Sequence, residues 1–259
     1  MARIGFIGTG KIASAMVRGL AGKGHRILVS ERTAAVAGQL AQEFDEVTVA
    51  ANQQVLDDSE IVCLCLLKSV AEHVLPELTF RAGHSLISVM ADVSLSQVRE
   101  WCAPASETCI TIPLPFVATG GCPLPVYPAS PVLEELFGAD NLVLPQPNED
   151  ALTAHFAACA TASVVMTELR AASEWLAGFT GNPAAAEAYL ITAFSGFFAG
   201  MSPGKPNQFA QVLQGLSTEG GLNATLRAKV EQGGVNDLIR EGLDGFRERL
   251  GLPPVDQNG

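Results

Sequence analysis

Residues 3–13 read Arg3-Ile-Gly-Phe-Ile-Gly8-Thr9-Gly10-Lys11-Ile12-Ala13. A short apolar run stops at a G-x-G-x-x-A turn, and a helical pattern runs on to Leu20. This order, strand then glycine turn then helix, limits the chain to an α/β unit built to receive a phosphate. Gly8 permits the tight turn, Gly10 lets a pyrophosphate approach the backbone, and Ala13 keeps helix and strand close. The helix start beyond Gly10 offers unpaired N–H groups and partial positive charge. Glu31 lies 23 positions after Gly8, about where such folds place a ribose-binding carboxylate. The expected ligand is a dinucleotide.

The next elements fit this start. Strands are predicted at Arg3–Ile7, Arg26–Val29, Ile61–Leu66, Ser85–Val89 and Cys109–Ile112, with helical patterns such as Ala34–Phe44 and Ser94–Trp101 between them. Alternating strands and helices imply βαβ units, right-handed crossovers and a doubly wound parallel sheet. Ligands of such sheets bind beyond the carboxyl ends of the strands, where Lys68 falls.

Composition shifts near Pro145-Gln146-Pro147 and strand signals then cease. The expected domains are 1–147, a Rossmann-like dinucleotide-binding domain, and 148–259, an all-helical domain. In the second, Asn148–Thr180 reads as one long helix. Asn182-Pro183 reads as the N-cap and first residue of the next. A helix over Asn207–Leu216, one capped by Asn223 and ending near Gly233-Gly234, and a last helix over Val235–Leu250 follow. The tail Pro253–Gly259 is expected to fray. Phe194, Phe197, Phe198 and Met201 make this half apolar enough to bury a face against a second copy, so a homodimer through these helices is expected.

Charge and cysteine usage exclude other classes. The formal net charge of −11 opposes phosphate backbones, so nucleic acid is not an expected partner. No apolar run approaches the ~20 residues of a bilayer span, and the chain opens on its first strand, so neither membrane nor signal peptide is expected. The six cysteines lack C-x-x-C spacing and there are four histidines. No metal site is expected, and the cysteines read as small buried hydrophobes of a cytoplasmic protein.

After the second strand comes Ser30-Glu31-Arg32-Thr33. A guanidinium and hydroxyls here suit the 2′-phosphate of NADP. With Glu31 pointing away, Ser30, Arg32 and Thr33 are expected around that phosphate.

On these residues the chain resembles the pyrroline-5-carboxylate reductase family over nearly its whole length. The points of resemblance are Ile4–Ala13, Ser30–Thr33, Asn52, Leu66-Leu67-Lys68, Ser88–Val93, Ser217–Asn223 and Glu231–Val235. The resemblance implies that NADPH lies among Gly8, Thr9, Gly10, Lys11, Ile12, Ser30, Arg32, Thr33, Asn52, Leu67 and Lys68. It further implies hydride transfer to the C=N carbon of a small, cyclic acid, in a site completed by the helical dimer. On the substrate side the chain departs from the family pattern. Leu114-Pro115-Phe116-Val117-Ala118 stands for a methionine-proline-asparagine-threonine-proline stretch, Asn223 for a hydroxyl, Ser69 for a proline and Asp92 for a glycine.

For the chemistry, Gly220 and Gly221 before a helix can offer N–H groups to a substrate carboxylate. The Asn223 side chain can cap that helix and still donate to substrate. Lys68 can donate a proton or hold the ribose, and Tyr127 and His155 are further protic candidates. The expected function is therefore NADP-dependent reduction of a C=N or C=O bond in a small acid, with Asn223 and Lys68 as catalytic candidates. The alternative is a catalytically weak NADP-binding paralogue acting as a sensor or partner protein. A hydroxyacid dehydrogenase on a similar plan would carry a lysine early in the second domain, and Asn148–Thr180 has none.

Overall fold

A computed structural model describes residues 1–255, so the expectation for the tail lies partly outside the described residues. The chain divides into two compact units, Met1–Phe156 and a second beginning at Ala157. The sequence placed the boundary at 147/148. The later position has a local cause: Leu152 is buried with Leu95 and Ile110, and the Glu149 Oε1 accepts a hydrogen bond from the Leu95 N–H at 2.9 Å. The first turns of that helix therefore belong to the first unit.

In the first unit the chain runs β1 (Arg3–Ile7), α1 (Lys11–Leu20), β2 (Arg26–Ser30), α2 (Ala34–Glu43), β3 (Val47–Ala50), α3 (Asn52–Asp57), β4 (Ile61–Leu64) and α4 (Lys68–Val74). It continues through β5 (Ser85–Ser88), α5 (Leu95–Trp101), β6 (Glu107–Thr111), β7 (Pro123–Tyr127), α6 (Pro131–Phe137), β8 (Leu142–Pro145) and α7 (Glu149–Cys159). The strands form one sheet in the order β3-β2-β1-β4-β5-β6-β7-β8. β1 to β6 pair in parallel, the doubly wound arrangement that was expected. Strand alternation sends Ile4 and Phe6 to one face, against Met16, Val17 and Leu20 of α1. It sends Ile7, Val62, Leu64 and Leu86 to the other, against Leu56 and Val98. With helices on both faces, these strands are apolar on both sides.

The sequence did not show β3, β7 or β8. β7 carries Pro123 and Pro125, which argue against a strand with neighbours on both sides. The geometry accommodates them. Leu142 N–H donates to Cys122 O at 3.0 Å and Gln146 N–H to Val126 O at 2.8 Å, so even-numbered positions of β7 face β8. The prolines thus turn their missing N–H toward β6. There the antiparallel pairing is confined to Ile110↔Tyr127 and Thr111↔Val126, and the Thr111 hydroxyl donates to Pro125 O at 2.8 Å.

Two close approaches position the helices that reach the ligand edge. A Cβ on Gly5 would lie 2.6 Å from the Ser59 Oγ and from a Val55 methyl, so the glycine lets α3 sit against β1. The far end of α3 is clamped by Arg81, whose guanidinium donates to the carbonyls of Leu56, Asp57 and Ser59. These are helix-end acceptors without partners inside the helix. His84 completes the clamp. Its Nδ1 accepts from the Arg81 N–H at 3.1 Å and its Nε2 lies 3.1 Å from Leu56 O, so the neutral ring protonated on Nε2 satisfies both contacts. Burial first, and then the Arg81 charge, hold its pKa below the ordinary 6.5.

The second unit contains α8 (Thr161–Thr180), α9 (Pro183–Ala199), α10 (Gln208–Gly215), α11 (Leu222–Gln232), α12 (Val235–Asp244) and α13 (Arg247–Leu250). The long helix expected from Asn148 is interrupted by a turn at Ala160, and the last helix is broken at Gly245-Phe246. α8 and α9 form a hairpin. Gly181 ends α8 in the left-handed region at φ 63°, and the Asn182 Oδ1 caps α9 by accepting from the Ala185 N–H at 3.1 Å. Among the described residues of this unit, the buried ones are Ala157, Ser173 and Ala186, while Trp175, Phe179, Tyr189 and Phe209 stand exposed.

By length and composition alone, the 32-residue stretch Glu149–Thr180 is long and apolar enough to cross a bilayer. A search for an unbroken apolar run misses it, because Glu168, Arg170 and Glu174 interrupt the stretch.

Candidate functional site

The strand order reverses between β1 and β4, and the crevice beyond the carboxyl ends of these strands is where doubly wound sheets bind dinucleotides. Gly8 follows β1 at φ 97°, and a Cβ there would meet Cys65 O at 2.4 Å. The glycine is therefore required both by the turn and by the approach of the chain leaving β4. Gly10 differs. Its backbone is extended (φ −80°, ψ −169°), and a Cβ on it would meet nothing within 4 Å, so the open space beside it is on the ligand side. It begins α1 without a side-chain cap, and the first turn carries no acidic residue. The leading N–H groups, from Lys11 and Ile12 onward, keep their partial positive charge for an anion.

Thr9 and Ser30 lie beneath this turn. Both are buried. The Ser30 Oγ accepts from the Gly8 N–H at 2.8 Å, and the Thr9 Oγ1 donates to Ser30 O at 3.3 Å. The sequence grouped Ser30 with the 2′-phosphate ligands. The structure gives its hydroxyl oxygen a different partner and makes it the pin between the glycine turn and the end of β2. Arg32 and Thr33, in a single 3₁₀ turn after β2, are exposed. Arg32 has no hydrogen bond or ion pair among the described residues, so its guanidinium is available to a phosphate. Glu31 is exposed beside it. Asn52 is half-buried at the start of α3, beyond β3.

The other half of the crevice is formed by β4, β5 and β6. Leu67 is 75% exposed and precedes Lys68, the exposed first residue of α4. Beyond β5, the Val93 N–H donates to Met90 O at 3.2 Å, closing a turn that carries Asp92 at its exposed tip. Beyond β6 come half-buried Ile112 and buried Pro113. The stretch Leu114–Ala118, expected at the substrate, packs elsewhere. Val117 O lies 2.6 Å from where a Cβ on Gly19 would be, near the far end of α1, and the Leu114 N–H donates to the Cys122 Sγ at 3.3 Å. Tyr127 packs with Ile110 and Leu152, and the exposed His155 places its Nδ1 2.7 Å from Ala151 O within its own helix.

In the helical unit, two expectations are corrected. Asn223 is not a cap. α11 starts at Leu222 with Gly221 as its N-cap and no side-chain cap, which puts Asn223 at the second helical position. Gly220 supplies the φ of 70° that the turn requires. The Gly221 N–H is already spent on Thr218 O at 2.9 Å, so this glycine has no N–H to offer a carboxylate. Asn223 itself is exposed.

The comparisons agree with this geometry. Residues 3–92 match the family model described as NADP oxidoreductase coenzyme F420-dependent. A stretch of 130 residues is 34% identical to pyrroline-5-carboxylate reductase 3 of Macaca fascicularis. That match covers 46% of this chain and 46% of the relative, about half the length of each. The solved pyrroline-5-carboxylate reductase of Coxiella burnetii is 20% identical and superposes with a TM-score of 0.82, over 96% of this chain and 97% of that one. The chain is thus similar in sequence to a pyrroline-5-carboxylate reductase over about half its length, and shares the fold of solved members of that family over nearly all of it. The pyrroline carboxylate reductase of Plasmodium falciparum, solved with NADP bound, shares the fold at 13% identity, with a TM-score of 0.74 over 96% of this chain and 97% of that one. These two likenesses concern the fold.

Proposed function

We propose that this protein reduces a C=N or C=O bond of a small molecule with NADPH, and does so as a homodimer. The observation that carries the reading is the uncapped start of α1 at the switch point, open at Gly10, with the unpaired Arg32 guanidinium beyond β2. NADPH supplies the hydride when bound. The N–H groups at the start of α1 hold its pyrophosphate, and Arg32 with Thr33 take the 2′-phosphate. Leu67 and Ile112 present apolar surface that keeps water from the nicotinamide half of the crevice. Lys68 is placed to hold the ribose or supply a proton. The NADP of the Plasmodium falciparum relative supports the choice of cofactor. No observation favours a binding-only role.

The dimer follows from the second unit. α9 carries a single charged residue, Glu187, and a helix apolar all round belongs in a core. Here Tyr189, Ile191, Phe194, Phe197 and Phe198 are exposed. A groove of about 370 Å³ lined by Val164, Val235, Leu238, Ile239 and Phe246 is also open. A unit of this length without a core of its own is not stable alone. A second copy supplies identical helices to cover it. Light scattering at micromolar concentration is expected to give a dimer mass, and a clean monomer refutes the dimer. NADPH oxidation by purified protein with cyclic imines and small ketones tests the reductase. Absence of turnover across that set refutes it.

A further inference from the structure

We propose that Asp92 selects a cationic, carboxylate-free hydride acceptor, an iminium ion, in place of the acid that the family resemblance implies. The proposal rests on the reductase reading and names the substrate class of that site. β4, β5 and β6 belong to the half of the sheet that receives the nicotinamide. Leu64 of β4 pairs with Ser88 of β5. Lys68 and Asp92 each follow four residues later, on adjacent strand ends. No ion pair joins them among the described residues. Lys68 stands next to the switch point, on the cofactor's phosphate and ribose side. Asp92 stands one strand further out, where the reacting group would lie, and beyond it Ile112 and Pro113 bring no side-chain donor.

The turn that carries the carboxylate is anchored. Met90 and Val93, the ends of its turn, are buried, and the Met90 N–H donates to the Ser88 Oγ at 3.3 Å. Asp92 itself has no hydrogen bond or ion pair among the described residues. The backbone does not have a positive φ there, so nothing in the turn requires glycine. A negative charge beside an acceptor opposes a substrate carboxylate and favours a cation. In the reaction the hydride forms the new C–H bond at the iminium carbon. The C=N π pair moves to nitrogen, giving a neutral amine and NADP⁺. Asp92 stabilises the positive nitrogen before transfer and takes no proton.

The test is calorimetric titration of the NADP⁺-loaded protein with piperidine, as its ammonium ion, and with pipecolate, the same ring bearing a carboxylate. Piperidine is expected to bind at least about tenfold more tightly than pipecolate. Asp92→Asn is expected to weaken piperidine about three- to tenfold and to leave NADP⁺ affinity unchanged. Asp92→Gly is expected to behave in the same way. The proposal is overturned if pipecolate binds as well as piperidine, if neither binds, or if Asp92→Asn leaves the preference intact. Selective piperidine binding without any NADPH turnover would refute the reductase reading and leave the charge selection standing.

Discussion

Ser30→Ala separates two accounts of the cofactor site. The Ser30 Oγ accepts from the Gly8 N–H at 2.8 Å, and both residues are buried. Removing the oxygen leaves a buried N–H without a partner, a loss of about 1–3 kcal/mol. For a chain of this size each kcal/mol moves the melting midpoint by about 2–4 °C. The Thr9 hydroxyl still donates to Ser30 O, so the turn loosens without collapsing. Affinity for NADH and NADPH is then expected to fall by a similar factor, because the pyrophosphate seat is common to both. The assay is thermal unfolding with titration of each cofactor into wild type and variant. Unchanged stability with a loss confined to NADPH would refute the reasoning and return Ser30 to the 2′-phosphate.

Asn182→Ala is expected to cost about 0.5–2 kcal/mol through loss of the α9 cap, whereas Asn223→Ala is expected to stay within about 0.5 kcal/mol; a larger loss for Asn223 in denaturant unfolding would contradict its placement inside α11. His84 has a folded pKa below its unfolded value, so the unfolded chain takes up a proton first as pH falls. The stability it contributes is complete above about pH 6.5 and is lost as pH falls through the lowered folded value. Glu46, held below the ordinary carboxylate range by the Gly22 N–H, also favours loss of stability in acid. Melting temperature is expected to fall from pH 7.5 to pH 5, and imidazole NMR is expected to show His84 titrating below the ordinary 6.5. A ring that titrates at or above 6.5 would refute the clamp.

The glycine turn between β1 and α1 was legible because its signals are local. Gly8, Gly10 and Ala13 encode a turn whose neighbours are fixed by a few residues on either side. The orientation of Ser30 was not legible, since a hydroxyl at the end of β2 reads alike whether it faces a phosphate or the loop beneath it. β7 was hidden because its prolines are tolerable only through a parity that depends on β6 and β8. Asn223 was mistaken for a cap because Gly-Gly-Leu-Asn looks like a helix start. The backbone begins α11 earlier, after the Gly221 N–H closes a turn on Thr218. For the stretch Leu114–Ala118, the family resemblance alone pointed to the substrate. Only the three-dimensional contact with Gly19 shows that α1 draws it away.

Calorimetric titration of NADPH and NADH into this protein and its Arg32→Ala variant tests the central claim most directly. The account predicts that NADPH binds more tightly than NADH, and that Arg32→Ala removes about 1.5–3 kcal/mol from NADPH binding alone. Failure of both cofactors to bind would contradict it, as would equal affinity in the wild type.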